Sequence, residues 1–261
     1  MIKKLILISL FVLVISCTES NNDSEDLFNS SPINLAIYPE ISIFETTPSD
    51  RFLVDIDTLV DGHMYKGANS DEPHTGAHVI FDVSAYPTAS VTGYPKIYAI
   101  ADGQITNVDT YFLVNNPTTP HYRYGIDLTF ASRGSEAVAM HYSIEPFVDP
   151  GDEDFYKPFI LVNVGDSIKK GDVIAHMYLE NNANAHIHFN LYRIYSSGSS
   201  DFQAPTIFSS AIMTNFLNKI TTGTRNYDTN QFSGSWMGDC MGYKISDSEN
   251  PFEETAIDCL K

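Results

Sequence analysis

Up to about residue 200 the chain is a series of short runs in which apolar and polar positions alternate, broken by Gly, Pro, Asn and Asp. The runs are RFLVDIDTLV, GAHVIFDV, YPKIYAIADGQITNVDTYFLV, YGIDLTFAS, AVAMHYSI, FILVNVGDSI, DVIAHMYL and HIHFNLYRIY. A period of two puts successive side chains on opposite faces, as a strand with one buried face requires. Their richness in Val, Ile, Tyr, Phe and Thr agrees with that reading. The pattern predicts a mainly β, antiparallel fold with hairpin-like breaks. Asp102-Gly103 reads as a tight turn, and Gly165 and Gly171 mark reversals around Lys169 and Lys170. No internal repeat stands out.

After residue 200 the period changes. Pro205 stands near a helix start, and Ile207, Phe208, Ile212, Phe216 and Leu217 fall on one helical stripe. This predicts an amphipathic helix packed on the β domain. The remainder, to Lys261, has little periodicity and reads as an irregular extension wrapping the surface. The expected organisation is therefore a β-rich domain over 36–200 and a C-terminal helix and extension over 201–261.

The N-terminus has a different character. Lys3 and Lys4 precede a short apolar stretch from Leu5 to Ile15 that ends in VISC. The stretch is too short for a comfortable membrane span and has the form of an export signal. VISC resembles a bacterial lipoprotein processing site. That resemblance implies removal of residues 1–16 and a lipid on Cys17, so that the lipid anchors the chain to a membrane. The segment 17–35 is polar and acidic and reads as a flexible tether. Thr18, rather than Asp, follows the cysteine, which points to the outer membrane. Cys240 and Cys259 then remain as a pair in an oxidising compartment. A disulfide between them would close a loop of about 20 residues and contribute about 3 kcal/mol.

Composition changes the picture in one respect. The formal net charge is −18, and loss of Lys3 and Lys4 with the signal makes the remainder more acidic still. Such a surface argues against nucleic acid and anionic lipid as partners.

The candidate chemistry is carried by histidines in three places: His78 and Asp82 in GAHVIFDV, His141 in AVAMHYS, and His186 and His188 in NAHIHFNLY. On a strand His186 and His188 share one face, opposite Ile187 and Phe189. Two imidazoles and a carboxylate are a usual zinc donor set. These pieces, with IYAIADGQI and VNVGDSIKKGDVIA between them, resemble in order the lysostaphin-type zinc endopeptidases over roughly residues 60–195. The resemblance implies an antiparallel β-roll of the duplicated hybrid motif type and a zinc peptidase acting on peptidoglycan peptides. It further implies Zn2+ held by His78, Asp82 and His188, with His186 as general base and His141 steadying the transition state. Four residues of straight strand span about 13 Å, so the chain must bend between His78 and Asp82. A second register is open: HTGAH places His74 and His78 around Gly76, for an all-His set of His74, His78 and His188. His63, His121 and His176 match no motif position and are expected to have no role. The loops 84–95, 112–121 and 145–158 are expected to set specificity. A non-catalytic envelope protein on the same fold is the alternative function.

Overall fold

The computed structural model describes residues 51–63, 77–85, 90–114, 120–180, 185–198, 200–204, 215, 243–245 and 254–255. The alternating runs pair there as strands: β1 (Leu59–His63), β2 (Ala77–Phe81), β3 (Lys96–Tyr98), β4 (Gly103–Val114), β5 (His121–Arg133) and β6 (Glu136–Val148). They are followed by β7 (Ser167–Ile168), β8 (Val173–His176), β9 (His186–Ile194), β10 (Ser200–Ala204), β11 (Tyr243–Ile245) and β12 (Glu254–Thr255). Among the described residues ten of these form one sheet in the order β12-β11-β10-β9-β6-β5-β4-β7, with β2 also on β9 and β1 on β2. β3 and β8 form a second, two-stranded sheet. The fold is mainly antiparallel β, as the alternation predicts; the β10–β11 pair runs parallel.

The long strands β5, β6 and β9 lie side by side and fix the site. One face carries Tyr124, Ile126, Leu128, Met140, Tyr142, Ile144, Ile187 and Leu191, all fully buried in the main core. The segment before β1, the β3–β8 sheet and the loop bearing Tyr156 and Phe159 cover this face. The other face carries the alternate residues, and on these three strands they are largely polar. A fully buried tyrosine ties the two sheets together. The Tyr124 hydroxyl donates to the His176 carbonyl (2.5 Å) and accepts from the Tyr178 N–H (3.0 Å).

Two of the alternating runs behave differently. RFLVDIDTLV enters β1 only at Leu59; before it Phe52, Leu53 and Val54 are buried in succession and Ile56–Thr58 form a 3-10 turn. Three consecutive buried side chains cannot belong to a one-sided strand, so packing on both sides overrides propensity here. FILVNVGDSI contributes only β7. The Asp166 carboxylate accepts the Asn163 N–H (2.8 Å) and holds a turn in its middle. The expected reversals stand at Gly165 (φ +95°) and Gly171 (φ +85°). Asp102 does not close a hairpin. It bends the chain from the small sheet into the large one and accepts from Lys169 Nζ (2.6 Å) and the Lys170 N–H (2.9 Å).

Residues 1–50, with the expected signal, Cys17 and the whole of the expected tether, lie outside the described residues, as do Cys240, Cys259 and the expected helix apart from helical Asn215. Ser200, at the expected domain boundary, opens β10, which continues the large sheet from β9.

Tyr124→Phe removes the acceptor of the part-buried Tyr178 N–H and the donor to the His176 carbonyl, a loss of about 1–3 kcal/mol. Urea unfolding should show this as a lower midpoint with an unchanged slope, and a midpoint shift below ~0.5 kcal/mol would show that the hydroxyl does not hold the sheets together.

Candidate metal centre

The polar face is built by register. β6 pairs with β9 so that Glu145 stands opposite His186, Ser143 opposite His188 and His141 opposite Asn190. β5 pairs with β6 so that Asp127 stands opposite His141 and Gly125 opposite Ser143. Paired residues of an antiparallel sheet share a face, so His141, Ser143 and Glu145 line up beside Asn190, His188 and His186. His121, Arg123, Gly125 and Asp127 follow on β5.

At one end of this face three donors converge. Glu145, His186 and His188 each offer a ligand atom, all within 4.8 Å of one another. The two histidine Nε2 atoms are 3.0 Å apart. Glu145 Oε2 lies 3.3 Å from His186 Nε2, and Oε1 lies 3.4 Å from His188 Nε2. A tetrahedral zinc with bonds near 2.0 Å places its ligand atoms about 3.3 Å apart. The donor types and their spacing therefore fit zinc. Glu145 is only 6% exposed and His186 5%.

The electrostatics agree with that use. Burial pushes the Glu145 carboxyl up, but His188, His121 and His186 outweigh it and hold the group well below the usual carboxylate range. Burial pushes His188 below its ordinary value, against the pull of Glu145. The carboxylate is thus ionised and the imidazole neutral near pH 7, the forms in which they bind metal. His121 Nε2 approaches Glu145 Oε2 at 3.1 Å, and the Ser143 hydroxyl donates to Oε1 at 3.2 Å. Phe147 lies against His121, ring centroids 3.9 Å apart, and faces His186 at 5.8 Å. Its φ of +65° is unusual for a bulky side chain.

Beside the cluster is a second polar group. His141 Nδ1 lies 2.6 Å from Asp127 Oδ1, and Arg123 Nη1 lies 2.9 Å from His141 Nε2. Arg123 Nη1 also donates to Ser143 Oγ at 2.5 Å. Gly125 makes room for this arrangement: a Cβ there would lie 3.1 Å from His141 Cε1.

The residues expected from the sequence are distributed as follows. His186 and His188 share a face and a point of convergence. His141 is on the same face, two cross-strand rows from Glu145 and engaged by Asp127 and Arg123. His78 is described by its backbone, directly opposite His188 in the β2–β9 register. Asp82 lies just past β2; the expected bend falls after Phe81, not inside the VIF gap. Its Oδ1 accepts from the Ser84 N–H (3.0 Å) and hydroxyl (2.6 Å), as a residue starting a 3-10 turn does. His74 lies outside the described residues. His176 has the expected structural place, with Nδ1 3.0 Å from the Tyr94 carbonyl. His121 does not: its contact with Glu145 corrects the expectation that it has no role. Glu145, Arg123 and Asp127 are the further members of the site. The H-x-S-x-E alternation of 141–145 is the signal that puts Glu145 on the histidine face.

Comparison with solved structures finds similarity to the NMR solution structure of lysostaphin, with 16% identity over 58% of this chain and 51% of that one, and a TM-score of 0.32. The match thus spans about half the length of lysostaphin. No family model and no curated protein matches the chain. The reading of the site rests on its own geometry.

Glu145→Ala, His186→Ala and His188→Ala should each weaken zinc binding at least ~10-fold in competition with a chromophoric chelator. His141→Gln should leave the affinity within about threefold. Equal affinity for all four variants and the parent would place the metal elsewhere.

Proposed function

We propose that the chain is a zinc metalloendopeptidase that hydrolyses peptide bonds of peptidoglycan. The observation that carries the reading is the convergence of Glu145, His186 and His188 on a buried polar face, beside an Arg–His–Asp group. In this reading those three residues hold the metal, and His78, whose backbone lies opposite His188, is a further candidate ligand. The set implied by resemblance, His78, Asp82 and His188, shares His188 with the cluster. When bound, zinc supplies a Lewis acid for a peptide carbonyl and a nucleophile near neutral pH.

The protein's own groups do the rest. His121 and Ser143 hold the Glu145 carboxylate in orientation, and Phe147 packs against His121 and faces His186. In the alternative set, where His78, Asp82 and His188 would hold the metal in place of Glu145 and His186, His186 would instead take a proton from the attacking water and return it to the leaving amine, with Glu145 beside it to stabilise the charged imidazole. The acidic surface does not draw the enzyme to an acidic wall polymer. A lipid on Cys17 would instead bring it to the substrate by tethering it to the membrane, and the outer membrane is the proposed location.

Zinc-loaded protein lacking residues 1–17 should generate new amino termini in purified peptidoglycan, read by mass spectrometry. The termini should vanish with chelator and with His186→Ala. Zinc bound at full occupancy, an intact fold and no new termini would overturn the peptidase reading in favour of a non-catalytic envelope protein.

A further inference from the structure

We propose that Arg123 is the group that meets the negative charge developing on the scissile carbonyl oxygen, and that His141 and Asp127 are positioning residues for it. The inference rests on the peptidase reading above and reverses the role that resemblance implies for His141.

Arginine donates hydrogen bonds and accepts none. Its Nη1 lies 2.9 Å from His141 Nε2, so Nε2 is the bare, accepting nitrogen. The ring proton is then on Nδ1, where it is donated to Asp127 Oδ1 at 2.6 Å. Asp127 is fully buried, and Tyr192 also reaches that oxygen, at 3.4 Å. A histidine held in this tautomer has no Nε2–H to offer a substrate carbonyl. The cation it faces has donors instead. Arg123 is pinned further by the Ser143 hydroxyl and by the Phe112 ring, whose centroid is 4.4 Å from Cζ. Ser143 donates in turn to Glu145. A single hydroxyl thus separates the guanidinium from the metal-binding carboxylate, and a fixed cation at that range is suited to electrostatic stabilisation. Gly125, between Arg123 and Asp127 on β5, leaves the space in which the His141 ring lies.

Two measurements on the zinc-loaded full chain test this. Side-chain 15N NMR should find His141 protonated on Nδ1 and bare on Nε2. A proton on Nε2 overturns the inference whether or not the chain cuts peptidoglycan. In kinetics on peptidoglycan fragments, Arg123→Ala should lower kcat about 100–1000-fold with KM and zinc affinity changed less than about threefold. Arg123→Lys should recover part of the loss, because it keeps the charge without the planar fork. His141→Gln, which keeps an acceptor for Arg123, should lose less than about tenfold. A loss with His141→Gln as large as with Arg123→Ala, or full activity in Arg123→Ala, overturns the inference. If the parent protein yields no new termini, the peptidase reading fails, and the tautomer alone decides whether Arg123 is held as described.

Discussion

A carboxylate taken out of water costs several kcal/mol unless it is paired and hydrogen-bonded, and Glu145 is such a carboxylate. The polar face is organised around meeting that cost. Three imidazoles and a hydroxyl surround its two oxygens, drawn from β5, β6 and β9. No single strand provides them all. The cluster exists only while the three strands keep their register, and the register is held from the opposite face by the apolar residues between the polar ones. The core and the site are two sides of one pleat.

Seen this way, the long strands have a simple division of labour. Even-numbered residues of β5 and β6 make the core and odd-numbered ones make the chemistry. On β9 the parity is reversed, because antiparallel pairing sets His186 against Glu145 and His188 against Ser143. Lysine is missing from this face among the described residues of the three strands, and arginine takes the cationic place. That suits a crowded site, since guanidinium is less strongly hydrated than ammonium and is less costly to bury. Arg123 also spreads its charge over a hydroxyl, an imidazole and an aromatic ring.

Most of the fold was legible in the sequence, because alternation is a local signal and the long strands obey it. The HxH pair was legible for the same reason. Glu145, His121, Arg123 and Asp127 were harder to see, since nothing local distinguishes a charged residue facing solvent from one facing a buried cluster. What decides between them is pairing across tens of residues, and extra residues on β6 between Ile144 and Val148, opposite Tyr124 and Tyr122 of β5, shift that pairing next to the site. The stretch before β1 misled for the opposite reason. Its residues have strand propensity, but they are buried too continuously to lie on a sheet with one wet face.

The position of β9 has a thermodynamic consequence. β9 is flanked by β6 on one side and by β2 and β10 on the other, so it is the seam on which both parts of the sheet close. A ligand that needs His186 and His188 on the same side as Glu145 binds only the correctly closed sheet. Zinc would then act as a folding ligand, adding roughly 2.7 kcal/mol of stability at a free concentration one hundred times its dissociation constant. The melting temperature of the protein would report metal supply as well as sequence.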